Sequence, residues 1–445
     1  MHTKALFLSG SVSARVAAIF VAASVCFAAA SPCAAQQQQF GVGIHNRAST
    51  APLLDKYVAP IGLSLRGDMY WRDLEQSPGQ LQINSAASDI QKLLQAAAAR
   101  GVKPMVPLAY GNQFYDKGDL IKSQEGLQAY LRYATSVVST LKGSVTLFEN
   151  WNEWNLNTGS KIKPRIWGDA GSYVKLLKSV YPALKAANHD AVIIGGVVGG
   201  TDDRWIDKFI SEGGLAYIDG FSVHPYVFRH AKRPRAPIII SPRPAGASVG
   251  SESQFDPGTP EEAITWIDDV AKRMKSAGKT VPIYVSEIGW PTSTGGDGVS
   301  EDVAAAYIQR FMLLARTRSS VAGVWWYDLQ DDDSDPTNVE NRFGLVRQNG
   351  QPKPAYTALA ALQHILHSAK QAKESDLAGE PTQITITGQT DAGKNFSAVW
   401  LSTSDMSKSA KSDAFTKLSQ SGYRPISAAA AGGNISATPV IMVQQ

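Results

Sequence analysis

Cysteine is nearly absent from this chain. Its 445 residues include two, Cys26 and Cys33, and both fall in a leader that starts basic, continues with an apolar run from Val16 to Ala30 and contains no acidic residue. That order is typical of a cleavable secretory signal, and the run is short for a membrane-spanning helix. We therefore predict a signal peptide over residues 1–35, and a mature chain without a disulfide, a thiol nucleophile or a thiolate ligand.

The chain also lacks an excess of charge of either sign. Lysine and arginine number 43 against 39 acidic residues, a formal net charge of +4, and the predicted signal contains two of the basic residues, Lys4 and Arg15. Such a balance argues against an electrostatic surface for nucleic acid or for anionic membranes. We expect a secreted or periplasmic monomer without a nucleic-acid or membrane partner, which acts on a neutral or mildly charged molecule.

Short apolar runs alternate with amphipathic stretches over residues 36–370. Eight such pairs predict a (β/α)8 TIM barrel, and most runs are near-continuous, as in parallel strands covered on both faces. A doubly wound sheet is the competing architecture, but Gly41-Val42-Gly43 lies inside the first run without the glycine-rich phosphate loop usual there. The predicted strands are Phe40–His45, Gly62–Gly67, Lys103–Tyr110, Val145–Asn150, Val192–Val198, Gly220–Val223, Ile283–Glu287 and Val321–Trp326.

The pattern changes after Lys370. Three strand-like segments follow, Gln383–Gly388, Asn395–Ser402 and Pro439–Val443, separated by turns rich in Gly, Ser and Asp. We predict a small C-terminal β-sandwich-like appendage over residues 371–445. Because no long low-complexity linker precedes it, we expect this accessory domain to pack on the barrel.

Side chains capable of chemistry cluster where the predicted strands end. In a barrel of this type the carboxyl ends of the strands form the active-site face. Glu153 follows the fourth strand and Glu287 ends the seventh, and two facing carboxylates are what cleavage of a glycosidic bond requires. Aromatic faces at strand ends can stack on sugar rings, and six of the ten tryptophans lie there: Trp71, Trp151, Trp154, Trp290, Trp325 and Trp326.

Two segments resemble a known group of enzymes. The segment Glu149-x-Trp151-Asn152-Glu153 resembles the strand-four signature of glycoside hydrolase clan A, and Ser286-Glu287-Ile288-Gly289-Trp290-Pro291 resembles its strand-seven nucleophile segment. Within the clan the chain is most similar to family 39, which includes bacterial enzymes that cut exopolysaccharides. Families 17 and 5 stay open, since Glu-x-Gly-Trp-Pro also occurs in family 17 β-1,3-glucanases. The resemblance implies retaining hydrolysis of β-glycosidic bonds in a poly- or oligosaccharide.

The resemblance also implies individual roles. Glu153 would be the general acid that later becomes the base, which calls for a raised pKa. Glu287 would be the nucleophile, and Asn152 would hold the sugar 2-hydroxyl as positive charge develops on the ring.

Other strand-end residues would support this pair. Tyr226 would orient the nucleophile with His224 beside it, although each is open to a second interpretation as a buried rim residue. Arg66 would support the nucleophile and pair with Glu149, and a purely structural ion pair is the alternative. We further expect four tryptophans to contact substrate: Trp154, Trp290, Trp325 and Trp326.

Two charged clusters have simpler interpretations. Basic residues between Arg229 and Arg243 could receive an anionic glycan, but a solvated, proline-rich loop explains them as well. Aspartates after strand eight lack the glycine-containing spacing of a calcium loop, so we interpret them as a solvated acidic loop. We expect no metal and no cofactor, because two carboxylates complete the chemistry alone. The aspartates are Asp328, Asp331, Asp332, Asp333 and Asp335.

Two other functions remain open at this stage. A carbohydrate-binding barrel without turnover would need aromatic surfaces, but it would not need two aligned carboxylates. A transglycosylase would share every residue with a hydrolase, because only the acceptor that resolves the intermediate differs.

Overall fold

The computed structural model describes residues 37–45, 50–83, 85–230, 255–377, 381–426 and 434–444. The predicted signal peptide, with both cysteines, lies outside the described residues. So does most of the basic segment, including Lys232, Arg233, Arg235 and Arg243. Among the described helices, none combines the length and apolar character needed to cross a bilayer.

Eight parallel strands close into a barrel, which confirms the predicted fold class. Each strand pairs with its neighbours in sequence, and the eighth pairs with the first. The strands are β1 Gln39–Ile44, β2 Ser64–Gly67, β3 Pro104–Leu108, β4 Leu147–Asn150, β5 Val192–Gly199, β6 Gly220–His224, β7 Ile283–Ile288 and β8 Val321–Trp326.

Two strands begin two residues later than the apolar runs predict. Gly62 has a φ of 66° and ends a helical turn over Ala59–Ile61, so β2 starts only at Ser64. The backbone N–H of Val145 still donates to the carbonyl of Leu141 at the end of a helix, so β4 starts at Leu147. Apolar composition alone does not distinguish the end of a turn from the start of a strand.

Helices cover the outside of the barrel and begin at recognisable caps. Thr259 and Glu262 form a capping box with Pro260 in the first turn, and the Ser300 hydroxyl accepts from the N–H of Val303. The long helices of the barrel are α1 Ser85–Ala99, α2 Gln124–Thr140, α3 Ala170–Ala187, α4 Asp203–Ser211, α5 Pro260–Ser276, α6 Glu301–Arg316 and α7 Pro354–Ser368.

The C-terminal part is built on antiparallel sheets. Five strands pair in the order β9-β10-β11-β15-β13, β12 pairs with β14, and a short helix precedes β13. Only β10, β11 and β15 correspond to strands predicted from the sequence. The elements are β9 Lys370–Leu377, β10 Gln383–Gln389, β11 Asn395–Leu401, β12 Ser409–Lys411, α8 Asp413–Gln420, β13 Tyr423–Pro425, β14 Asn434–Ser436 and β15 Val440–Gln444.

A buried polar cluster joins this sheet to two barrel helices. Arg310 of α6 is fully buried, ion-pairs with Glu261 of α5 and donates to the carbonyl of Thr403 at 2.8 Å. The indole of Trp400, in β11, donates to the same Glu261 at 2.9 Å. Because a buried arginine needs all of these partners, the cluster fixes the sheet against the barrel.

Candidate active site

A cavity of about 570 Å³ opens at the carboxyl ends of the barrel strands. The face is the one on which barrels of this type carry their active sites. Predicted residues that line it are Arg66, Asn152, Glu153, Tyr226 and Glu287. The structure therefore brings five of the predicted site residues together in the wall of one cavity.

Two carboxylates face each other in this cavity. Glu153 and Glu287 each offer an oxygen within 4.8 Å of one another and of a His224 nitrogen. Both carboxylate side chains are 12% exposed, so each is largely shielded from water but still reachable from the cavity. When a glycosidic bond lies between two such groups, one can protonate the leaving oxygen and the other can attack the anomeric carbon.

Both oxygens of Glu287 are held by donors. The Nη1 of Arg66 lies 2.7 Å from Oε1, and the Tyr226 hydroxyl donates to Oε2 at 3.1 Å. Arg66 also donates from Nε to Glu149 at 2.6 Å and from Nη2 to the Oδ1 of Asn152 at 2.7 Å. The buried guanidinium of Arg66 therefore positions the side chains of Glu149, Glu287 and Asn152. This contact with Glu287 is the one expected for Arg66.

The ion pair beneath the cavity is fully formed. Burial alone would raise the pKa of Glu149, but the charges of Arg66 and His224 and the hydrogen bonds from Ser286 and Ser222 together outweigh burial and lower that pKa below its ordinary value. Burial would likewise lower the pKa of Arg66, and Glu149 with Glu287 raises it instead. Both groups are charged at neutral pH, and the arginine cation stays next to Glu287.

Glu153 lies on a strained segment after β4. Trp151 and Glu153 adopt left-handed φ values of 74° and 47°, which cost roughly 1–3 kcal/mol each for residues other than glycine. Backbone hydrogen bonds compensate, because the Trp151 N–H donates to Leu108 and the Glu153 N–H to Val197. The turn sends the Glu153 side chain into the cavity.

His224 shares a proton with Glu153 and does not touch the cavity. It is fully buried, its Nδ1 lies 2.9 Å from Oε1 of Glu153, and its Nε2 lies 2.9 Å from the Ser286 hydroxyl. The structure does not place His224 where the substrate contact was expected; it is a buried, hydrogen-bonded residue, as in the second interpretation. Glu153 therefore lies between His224 and the cavity.

The structure does not show the expected rise in the pKa of Glu153. Burial does raise this pKa, but the hydrogen bond and charge of His224 outweigh it, so the pKa lies below its ordinary value. Burial lowers the pKa of His224 in turn, and Glu287 with Glu153 raises it above the usual value. The two directions together place the shared proton on the imidazole rather than on the carboxylate.

Sequence comparisons find partial similarity to two plant proteins. No protein-family profile matches the chain. It is 26% identical over 238 residues to a probable glucan endo-1,3-beta-glucosidase of Arabidopsis thaliana, a match that covers 46% of this chain and 65% of the plant protein. A basic glucan endo-1,3-beta-glucosidase of Solanum tuberosum is 33% identical over 92 residues, 20% of this chain and 27% of that one. The chain thus matches less than two thirds of either relative.

Solved structures resemble far more of the chain. A family 39 glycoside hydrolase from Bacteroides cellulosilyticus superposes with a TM-score of 0.69 and 22% identity, over 92% of this chain and 81% of that one. A monomeric beta-xylosidase from Caulobacter crescentus gives 0.56 and 16%, over 82% and 73%. The chain shares its fold with glycoside hydrolases. This confirms the fold implied by the two sequence segments.

The four tryptophans expected to bind substrate do not line the cavity. Trp154, Trp290, Trp325 and Trp326 are at most 1% exposed, so this expectation is wrong. The first three each donate an indole N–H to an oxygen of the protein, and Trp290 and Trp326 pack together with centroids 5.8 Å apart. Apolar burial stabilises large aromatic side chains more than a solvent-exposed wall does.

Other aromatic side chains form the wall instead. Tyr110 accepts from the Asn152 amide at 2.8 Å, and this contact fixes the amide beside Glu153. The position of Tyr110 at the end of a predicted strand is the signal by which the sequence indicates this residue. The aromatic residues that line the cavity are Tyr70, Tyr110, Trp167, Tyr226, Phe228, Tyr327 and Phe343.

The aspartates after β8 are not a solvated loop throughout. Asp331 is 1% exposed and pairs with Lys353 at 2.6 Å, and Asp328 is 3% exposed, with burial raising its pKa to about 8. Asp332 accepts from His45 at the rim of the cavity. Only the later aspartates of the run are on the surface, so the prediction is wrong for its first half.

Two clusters among the described residues carry possible metal ligands. One cluster consists of Glu153, His224 and Glu287. The other consists of His45, Asp328 and Asp332. In each, an imidazole Nδ1 lies at hydrogen-bond distance from a carboxylate, 2.9 Å and 2.7 Å. Those distances describe a proton between the groups. That the chemistry needs no metal stays a prediction.

Proposed function

We propose that the protein is a retaining glycoside hydrolase that cleaves β-glycosidic bonds of a poly- or oligosaccharide by double displacement. One observation carries the proposal: oxygens of Glu153 and Glu287 lie within 4.8 Å across a cavity at the active-site face. Retaining enzymes hold these groups roughly 5–5.5 Å apart, whereas inverting enzymes need about 6.5–9.5 Å to admit a water molecule. The short separation supports retention.

In the first step, Glu287 attacks the anomeric carbon while the bond to the leaving oxygen breaks. Glu153 delivers a proton to that oxygen, supplied from the pair that it forms with His224. Water then attacks the anomeric carbon of the resulting glycosyl ester, the bond from that carbon to Glu287 breaks, and Glu153 takes up one proton of the water. Arg66 and Tyr226 keep the Glu287 oxygens in place throughout, so little reorganisation is needed at the transition state.

Asn152 fits the role of holding the sugar 2-hydroxyl. Its Oδ1 is taken by Arg66 and its Nδ2 points to the Tyr110 hydroxyl, so the amide cannot rotate. A fixed amide at the cavity wall keeps its interaction with the sugar as charge develops on the ring. The roles of these residues follow from the contacts and from the segments that resemble clan A.

The substrate class is drawn from the same comparisons. The plant relatives are named for β-1,3-glucan cleavage and the structural relatives include a family 39 enzyme and a xylosidase, so we include glucans, xylans and bacterial exopolysaccharides. The leader over residues 1–35 supports a secreted or periplasmic location, where such polymers occur. We propose no nucleic-acid partner and a monomeric enzyme.

The first test is turnover. Purified protein is incubated with a panel of β-linked polysaccharides, including exopolysaccharides, and released oligosaccharides are identified by mass spectrometry. Proton NMR then follows the anomeric configuration of the first product. A first product of inverted configuration would refute the covalent role of Glu287.

Azide separates the two carboxylates. With Glu153→Ala, azide enters where the activated water would, so the glycosyl azide keeps the configuration of the substrate. With Glu287→Gly, azide replaces the nucleophile and one inversion gives the opposite anomer. Glu340→Gln is a matched control, because this carboxylate also lines the cavity but lies outside the pair. Azides of identical configuration from both variants would contradict the assigned roles.

The same experiments address the alternatives. A carbohydrate-binding barrel would bind members of the panel and release nothing from any of them. A transglycosylase would form longer products when acceptor sugar is raised, at the expense of the hydrolysis product.

A further inference from the structure

An exposed tryptophan stands at the mouth of the cavity. Among the described residues four large apolar side chains are exposed, and two of them, Ile166 at 54% and Trp167 at 46%, are adjacent in sequence. Trp167 lines the cavity, whereas Ile166 does not. It is thus the one exposed indole in the described part of the chain, and it lies where substrate enters.

The exposure does not come from a loosely held loop. The Asn157 amide donates to the carbonyl of Ile166 at 2.8 Å, and the Trp205 indole donates to that of Gly168 at 2.9 Å. The Gly168 N–H in turn donates to the carbonyl of Asn155 at 3.1 Å. Buried groups therefore fix the backbone on both sides of Trp167, while its ring is left facing the cavity.

Close packing leaves this backbone no alternative path. A Cβ added at Gly168 would lie 1.9 Å from the Trp154 carbonyl oxygen, so the two backbones touch. The Trp154 indole also donates to the carbonyl of Asp169 at 3.2 Å. Burying Trp154 thus serves to position the segment that carries Trp167.

The segment lies on the side of the proton donor. Residues 154–169 follow Glu153 directly, and the Thr158 hydroxyl from this segment donates to its Oε2 at 2.6 Å. The nucleophile is held from elsewhere, by Arg66 and Tyr226. Since the donor protonates the leaving oxygen, the wall behind it faces the leaving group.

We infer that Trp167 is the stacking platform of a sugar subsite on the leaving-group side, which commits the enzyme to oligosaccharide or polysaccharide leaving groups. The inference rests on the proposed function. A half-exposed indole offers a flat apolar face that fits the C–H face of a pyranose ring. Arg165 lines the same wall and forms no ion pair within the described residues, so its guanidinium can bind hydroxyl groups of that sugar.

The test compares leaving groups of different size. Wild type, Trp167→Ala and Trp167→Phe are assayed on a β-glycosyl fluoride, whose leaving group is too small to reach the indole, and on oligosaccharides of the same sugar, taken from a panel polysaccharide that wild type cleaves. Trp167→Ala should lower kcat/KM on oligosaccharides by at least about tenfold, the equivalent of about 1.4 kcal/mol of lost stacking. With Trp167→Ala, kcat/KM on the glycosyl fluoride should change by less than about twofold, and Trp167→Phe should restore most of the loss on oligosaccharides.

Ile166→Ala is the matched control. It removes a side chain that is more exposed, from the same segment, but outside the cavity. Neither Ile166→Ala nor Trp167→Ala should alter Tm, because the side chains of both residues are exposed to solvent. A loss of equal size on both substrates, no loss on oligosaccharides, or an equal loss with Ile166→Ala would overturn the inference. Absence of any wild-type turnover would overturn the proposed function with it.

Discussion

Gly199 lies directly behind the proposed proton donor. It is the last residue of β5, and a Cβ built there would lie 2.6 Å from Oε1 of Glu153 and 2.5 Å from the Leu156 side chain. Its φ is outside the left-handed range, so alanine adds no backbone strain. Gly199→Ala is therefore a small change whose main effect is to displace one carboxylate.

The size of that displacement follows from contact distances. Ordinary carbon–oxygen contact needs about 3.4 Å, so the carboxylate must retreat by about 0.8 Å. It is held at 2.6 Å by Thr158 and at 2.9 Å by His224, and a shift of that size lengthens at least one of the two bonds. Because a misplacement of about 1 Å can cost on the order of 10²-fold, we expect kcat to fall by about 10- to 100-fold with poor leaving groups.

The assay is a series of aryl glycosides whose phenols span a range of pKa. A displaced proton donor slows substrates with basic leaving groups most, so the Gly199→Ala rates should depend more steeply on phenol pKa than wild-type rates. Overpacking should also lower stability by about 1–3 kcal/mol, which thermal unfolding measures.

Gly43→Ala is the matched control. Gly43 lines the same cavity, but an added Cβ would meet nothing closer than 3.7 Å, and neither glutamate is among its neighbours. Any effect should therefore fall on KM and be independent of the leaving group. If Gly199→Ala slows all aryl glycosides equally, the added methyl group does not act through Glu153, and the reasoning fails.

Two histidines give pH-dependent predictions. The alkaline limb of kcat/KM should report loss of the proton shared by Glu153 and His224, so His224→Gln should move that limb to lower pH. An unmoved limb would contradict the shared proton. Burial would lower the pKa of His45, but Asp332 and other aspartates raise it to about 9. The stabilisation of the folded state by protonated His45 is therefore complete below pH 6.5 and is lost as the pH rises through about 9. The stability deficit of His45→Gln in urea unfolding should narrow over that interval, and a constant deficit would exclude this linkage.

The barrel and its two carboxylates were predictable for a shared physical reason. Parallel strands covered on both faces must be apolar throughout, so their ends are visible in the sequence as a change to polar residues. Strand ends of such a barrel meet on one face, so Glu153 and Glu287 could be placed together without any contact being known. Orientation was not predictable, because Glu153 reaches the cavity only through left-handed φ values that no local pattern indicates.

The appendage was harder to predict because its outer strand is polar. Lys370–Leu377 carries charged side chains along an edge of the sheet, where they discourage pairing with other chains. Such a strand shows no alternation of apolar and polar residues. It is extended because it pairs with β10, and its own sequence does not indicate a strand. Short strands such as Tyr423–Pro425 are likewise defined by pairing with β15 rather than by composition.

The tryptophans show where interpretation by residue type fails. Strand ends were correctly taken as the rim, but a side chain that follows a strand can turn into the cavity or back between strand and helix. The large apolar side chains pack between strand and helix, because an indole is stabilised more by burial in the core than by a position in the solvent-exposed wall of the cavity. Trp154 is the instructive case, since from the core it holds the segment that presents Trp167, thirteen residues further along. Long-range packing therefore decides which aromatic residue is in a position to contact the sugar. The sequence around the two glutamates does not carry this information.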